Sequence, residues 1–235
     1  MLVKKTVEYD KRIKDQLMLE FVDPVGRLGQ AMSPRVLSSH FVINHLPQEI
    51  ISKKTKIIHL IRNPKDTVVS MYYFYSKNLT VTSFPLSEFL TEVIADNLFL
   101  PNQFDFLRQI TEFEQAHPDQ PIKHIHYEDM KKDPLKTILD LAQFLDVPAS
   151  ETFCQQIAEA CSFDNMKKND DDGNKEVPQV QVEMLRRFGR KKMWLFRKGI
   201  IGDWKNELTE EQVQELDDYI DREEKKGLAF KFVYE

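Results

Sequence analysis

The sequence predicts an α/β protein with a parallel β-sheet flanked by helices on both faces. Three observations carry this. The 235 residues, 41% hydrophobic and 30% charged, are enough to bury one large core. The run from Lys56 to Ile61, KIIHLI, is short, apolar and rich in β-branched residues, as a buried parallel strand is. Strand-like and helix-like segments then alternate along the chain, the pattern of a parallel sheet covered by helices.

The strand stops at Arg62. Asn63, Pro64 and Asp66 follow as an N-cap, a first-position proline and an acidic third residue, so a helix is expected from Asn63 to about Lys77. PLSEFLTEVIADNLF, NQFDFLRQITEFEQAH and PLKTILDLAQFLDV place apolar residues three and four apart, and TEEQVQELDDYIDREEKK opens on a capping threonine. IKHIHYE (122–128) and the terminal LAFKFVY are strand-like. The polar segment 167–179, with Gly173 and Pro178, reads as a flexible loop. Residues 1–32 mix charge with a weak helical pattern, and the whole of 1–235 is expected to form a single domain.

Composition excludes several functions. A net charge of −5 without a block of five like charges disfavours a non-specific polyanion binder, a nucleic-acid module and a polybasic membrane anchor. The two cysteines, Cys154 and Cys161, cannot build a disulfide framework. The start MLVKKTVEYDKRIKDQ lacks an apolar core, and no stretch approaches the roughly 18 to 20 apolar residues of a membrane span, so a soluble, cytoplasmic protein is expected. The seven glycines, at 26, 29, 173, 189, 199, 202 and 227, leave no room for GxGxxG or GxxxxGK[ST]. An anionic ligand must be held in another way.

Two places offer one. Arg62 sits at the strand end and Ser70 eight residues on, so an anion at the helix start would meet a guanidinium, a hydroxyl and the positive end of the helix dipole. The alternative is that Arg62 only pairs with Asp66 or Asp129 and Ser70 faces the helix interior. In FRKGIIGDWK (196–205), Arg197 and Lys198 precede Gly199, whose backbone can approach a ligand closely, with Gly202 and Trp204 as anchors. RKG alone also fits a solvated turn. His124 and His126 share a strand face and could be considered as metal ligands, but no carboxylate or thiol is spaced to complete a set, so no metal is expected.

RKGIIGDWK and IRNPKDTVVSMYYFY together resemble the cytosolic sulfotransferase family, whose members carry RKGxxGDWK and an RNPKDxxVS strand-turn-helix. SPRVLSSHFVINHLP (33–47), HYEDMKKDP (126–134) and CSFDNMKKN (161–169) resemble further family segments in the same order. The resemblance implies a P-loop-NTPase-like sulfotransferase fold and transfer of a sulfuryl group from 3′-phosphoadenosine 5′-phosphosulfate (PAPS; product PAP) to a hydroxyl or amine of a small lipophilic acceptor. It assigns Arg62, Ser70, Arg197, Lys198 and Gly199 to the 3′-phosphate, and Tyr127, Cys161 and Phe163 to the adenosine, Phe163 by stacking. His40 fills the position of the base that deprotonates the acceptor; His45, in NHLP, competes for that role. Phe41, Tyr72, Tyr73 and Phe74 are candidates for the acceptor pocket or, equally, for core.

Departures from the family pattern set further expectations. Nothing in residues 1–32 resembles the family's 5′-phosphosulfate loop, so the fold is expected to be truncated at its N-terminal side. Ser38 replaces a lysine near the base, and Cys161 a threonine. Each preorganised transition-state donor lost costs about 3 to 4 kcal/mol, which raises a second reading: a catalytically impaired, nucleotide-binding or interaction protein. The family's dimer stretch is degraded, with Lys205 and Thr209 kept but Glu210 and Gln214 substituted, so a homodimer by that route is doubtful.

Overall fold

A computed structural model of the chain describes residues 1–7, 18–19, 33–80, 84–98, 102–171, 186–190 and 193–235. Their regular elements, in order, are α1 (Glu49–Ser52), β1 (Ile57–Ile61), α2 (Pro64–Asn78), α3 (Leu86–Ile94), α4 (Gln103–Ala116), β2 (Ile122–His126), α5 (Tyr127–Lys132), α6 (Pro134–Phe144), α7 (Glu151–Ala160), α8 (Phe163–Asp171), α9 (Trp204–Glu207) and α10 (Glu210–Glu224). They fall into two compact units: Met1–Ser39 with Asp133–Gly199, and His40–Lys132 with Ile200–Glu235.

The second unit holds the sheet. β1 and β2 run parallel in a register that pairs Ile57 with Ile122, His59 with His124 and Ile61 with His126. A parallel pair needs a crossover, and α2, α3 and α4 supply it. His59 and Ile61 are buried, with Phe106 of α4 stacked on the His59 ring at 5.4 Å, whereas Leu60 is 63% exposed. β1 therefore buries one face deeply, although its composition reads as buried on both. The core of this unit gathers Val68 and Val69 of α2, Phe89 and Leu90 of α3, Phe104 of α4, and Leu216, Tyr219 and Ile220 of α10. Around it, Asn102 Nδ2 donates to the Tyr219 hydroxyl (2.8 Å) and Lys65 pairs with Asp217 (2.6 Å).

The first unit builds its core from Leu2, Ile138 and Ala142 of α6, and Cys154, Ile157 and Ala158 of α7. The Ser150 hydroxyl accepts the Phe153 N–H to start α7, and Asp133 caps α6 through the Lys136 N–H.

Two expectations need correction. The terminal LAFKFVY joins no ladder. It keeps a two-residue alternation, but its aromatics serve as side-chain anchors: Phe230 packs on His59 and His124, Phe232 on Phe104, and Tyr234 lies 5.6 Å from the Lys65 ammonium. The expected loop 167–179 begins later, because α8 continues to Asp171; the remainder, 172–179, lies outside the described residues. Most of the atypical segment 1–32 lies outside them too. No described helix is long and apolar enough to cross a membrane.

Behind β1, His59 Nδ1 and His124 Nδ1 approach to 2.9 Å, and His124 Nε2 lies 2.7 Å from Glu114 Oε1. Such a contact needs one nitrogen protonated and the other bare, so the pair holds one proton between them. A second would place two N–H groups head to head. Burial, followed by the charges of His124 and His126, pushes the His59 pKa from 6.5 down to about 4. The neutral ring is thus favoured in the fold, and its contribution is complete above pH 6.5 and lost as pH falls toward 4, in total roughly 3 kcal/mol. Denaturant titrations from pH 7 to 4 should show this slope in the wild-type protein and a flatter one in His59→Phe.

Candidate functional site

Arg62 follows the last residue of β1, and α2 starts two residues later. Asn63 caps it by accepting the Asp66 N–H at Oδ1 (2.8 Å), while Pro64 fills the first helical position without needing a hydrogen bond. Arg62 is half-buried, its guanidinium lying 4.4 Å over the Tyr127 ring and its Nη2 3.9 Å from Asp66 Oδ2. That is an ion-pair distance but too long for a hydrogen bond. Asp129 is exposed and makes no ion pair with Arg62 among the described residues. Ser70 is half-buried two turns into α2.

The turn is fixed by two carboxylates: Glu128, which sequence reasoning did not single out, and Asp66, which it read only as a helix-start acid and a possible partner of Arg62. Glu128 Oε1 accepts both the Asn63 backbone N–H (2.9 Å) and its Nδ2 (2.7 Å). Asp66, fully buried, accepts Asn63 Nδ2 (3.0 Å) and the Gly202 N–H (2.7 Å) at Oδ2, and the Trp204 N–H (3.1 Å) at Oδ1. Gly202 takes a left-handed φ of +74°, which lets its own amide and that of Trp204 turn toward one carboxylate. The Lys65 ammonium covers the Trp204 ring at 4.3 Å. One correction follows for the helix start. Pro64 has no N–H, those of Asn63 and Asp66 are already taken, and two carboxylates sit against the positive end of the dipole. The helix terminus is thus a weaker source of anion contacts than the sequence alone suggests.

In the first unit, Phe163 opens α8 and meets Phe196 edge-on at 5.9 Å. Gly199, with φ +67°, lies so close that an added Cβ would come within 2.7 Å of Phe163 Cγ. The segments CSFDNMKKN and FRKG, 33 residues apart between Phe163 and Phe196, therefore meet in space. Arg197 is half-buried and Lys198 exposed. Cys161 ends α7 with its Sγ 3.3 Å from Met1 Sδ, and burial raises its thiol pKa. The packing of Phe163 on Phe196 and Gly199 in this unit, and the hydrogen bonds around Asn63 in the other, order each set of predicted residues within its own unit.

His40 and His45 are both exposed, His45 closing a short 3-10 turn. Ser38, in the first unit, accepts the Leu19 N–H at its carbonyl (2.8 Å), and its hydroxyl is buried without a hydrogen-bond partner. Tyr72 and Tyr73 pack against the second unit's core; the Tyr72 hydroxyl donates to Phe84 O and that of Tyr73 to Glu207. This favours core over acceptor pocket for both. Phe74 stacks edge-on with Tyr75, and Phe41 is exposed. No group of three or more metal-ligating side chains gathers among the described residues, and His124 is engaged with His59 and Glu114.

Residues 9–228 match the family model described as the sulfotransferase domain. The chain belongs to this family. It is 32% identical over 198 residues to mouse sulfotransferase 1B1, covering 83% of this chain and 63% of the relative, and 30% identical over 222 residues to the dog sulfotransferase 1B1, covering 92% and 72%. The chain thus spans less than two thirds of the mouse relative's length. The crystal structure of mouse sulfotransferase SULT7A1 complexed with PAP superposes with a TM-score of 0.71 at 24% identity, over 96% of this chain and 89% of that one. This shows a shared α/β fold.

Two stability outcomes follow. Asp66→Ala removes the acceptor of the Gly202 and Trp204 N–H groups and one of two acceptors of Asn63 Nδ2, and should cost about 2 to 3 kcal/mol by chemical denaturation. Gly199→Ala combines a disfavoured φ with displacement of the Phe163 ring; it should cost about 1 to 3 kcal/mol by the same measurement.

Proposed function

We propose that this chain binds PAPS and PAP and serves a sulfotransferase that passes the sulfuryl group to a hydroxyl or amine of a small lipophilic acceptor. The observation that carries the reading is the strand-turn-helix from Ile57 to Asn78, which seats Arg62 at a strand end, half-buried, with Asp66 at 3.9 Å, beyond hydrogen-bond distance. Family membership, and the complex that mouse SULT7A1 forms with PAP, support it. By the family resemblance, Arg62, Ser70, Arg197, Lys198 and Gly199 are the residues proposed for the 3′-phosphate. Cys161 and Phe163, with Tyr127, are those proposed for the adenosine. No metal takes part in this scheme, and a cytoplasmic setting accords with two free thiols.

In the reaction, His40 accepts the acceptor's proton as its oxygen or nitrogen bonds to sulfur. The bond from sulfur to the 5′-phosphate oxygen breaks in line, and PAP leaves. One observation favours a second reading. At Ser38 a buried hydroxyl without a partner stands where the family carries a cation, so a chain that binds nucleotide but turns over slowly is the alternative.

Calorimetry with PAP and a radiolabelled sulfate-transfer assay test both readings. Arg62→Ala and Arg197→Ala should each weaken PAP binding by about 2 to 3 kcal/mol, since each removes a charge-assisted phosphate contact. His40→Ala should keep PAP binding and lose turnover. Binding without turnover in the wild type selects the second reading, and folded wild-type protein that ignores PAP removes both.

A further inference from the structure

The peptide that joins Arg62 to Asn63 lies between two elements: the register of the sheet ends at Ile61, and α2 begins at Pro64. Side chains from elsewhere hold both of its polar ends. Gln103 Nε2 donates to the Arg62 carbonyl (2.6 Å), and Glu128 Oε1 accepts the Asn63 N–H (2.9 Å). Because a peptide is planar, holding its C=O and its N–H together fixes its orientation, and with it the rotation about the Arg62 Cα–C bond. The Arg62 side chain has no comparable hydrogen bonds. Its Nε is buried without a partner, and the Asp66 carboxylate lies 3.9 Å from Nη2.

Gln103 is itself firmly mounted. It is the first residue of α4, directly after Asn102, whose Oδ1 accepts the Phe104 N–H (2.9 Å) and whose Nδ2 donates to the Tyr219 hydroxyl of α10 (2.8 Å). Asn102 thus caps the helix, which leaves the glutamine amide to reach across to the strand end. We infer that Gln103 is a positioning residue, which orients the Arg62 peptide so that the guanidinium extends toward the donor's 3′-phosphate from a fixed point. This rests on the PAPS reading above, and Gln103 acts on the nucleotide only through Arg62.

The effect separates by ligand. PAP and adenosine 5′-monophosphate share the adenosine and the 5′-phosphate, and only PAP carries the 3′-phosphate. Gln103→Met keeps the length of the side chain and removes the amide. Calorimetry should show its PAP affinity falling about three- to tenfold, while affinity for adenosine 5′-monophosphate changes less than about twofold. Gln103→His, whose Nε2–H donor reaches about as far, should restore the selectivity. Gln103→Glu, which suits the first turn of a helix but when ionised has no donor, takes the place of the methionine variant if that one fails to fold. Unchanged PAP affinity in the donorless variant overturns the inference. So does parallel loss of both nucleotides, which marks a general structural role, or failure of the histidine variant to restore selectivity. A wild-type protein that binds PAP no more tightly than adenosine 5′-monophosphate overturns the PAPS reading itself, and the inference with it.

Discussion

A single buried carboxylate, Asp66, holds together the part of the second unit that carries the candidate chemistry. A carboxylate with no solvent exposure costs several kcal/mol to bury unless its oxygens are satisfied. Here three donors satisfy them, and the donors come from separated stretches: Asn63 at the end of the strand, and Gly202 and Trp204 from the segment beyond the crossover helices. The attraction that offsets the burial is therefore also the constraint that ties strand end, helix start and GDW turn together. Glu128 extends it to the end of β2 through the same Asn63 amide. Networks of this kind are cooperative, and removing one member strands the others.

This arrangement changes how an anion can be recognised. A glycine-rich loop offers main-chain N–H groups, and the sequence carries no such loop after β1. The helix start offers less than such a loop, because Pro64 has no N–H, the Asp66 N–H is taken by Asn63, and the Asp66 and Glu128 carboxylates sit beside it. Under the proposed function, recognition falls to side chains, and side chains need external bracing to hold a geometry that a loop would fix covalently. The grip of Gln103 and Glu128 on the main chain around Arg62, and the Tyr127 ring beneath it, supply that bracing.

What the sequence made legible was local. The cap at Asn63, the proline after it, the capping threonine Thr209, and the apolar spacing of α3, α4 and α6 all read correctly, because each is a relation among residues within about four positions. The roles of Asp66 and Glu128 were not legible. Asp66 reads as an ordinary N3 acid, and only its distant contacts with Gly202 and Trp204 reveal the rest. His59 and His124 were similarly hidden: two histidines 65 residues apart carry no periodic signal until the parallel register places them side by side. LAFKFVY failed for the opposite reason. Its alternation is real, yet strand formation needs a hydrogen-bonding partner, and alternation alone cannot announce one.

The C-terminal segment shows what that alternation accomplishes instead. Phe230, Phe232 and Tyr234 project at two-residue intervals onto the histidine pair, the core phenylalanine of α4 and the Lys65 ammonium. Lys65 lies in the first turn of α2 and also covers Trp204, so the segment and the GDW turn share one cation. Burial and the nearby carboxylates of Glu224, Asp217, Asp221 and Glu128 push the Tyr234 pKa up to about 12, which keeps its hydroxyl neutral against that acidic surround. The strand-turn-helix is thereby clamped from two directions, by main-chain amides on Asp66 and by aromatic faces on Lys65. Both clamps use side chains close to Arg62 in sequence, so the residues that fix the turn also fix the position from which Arg62 extends.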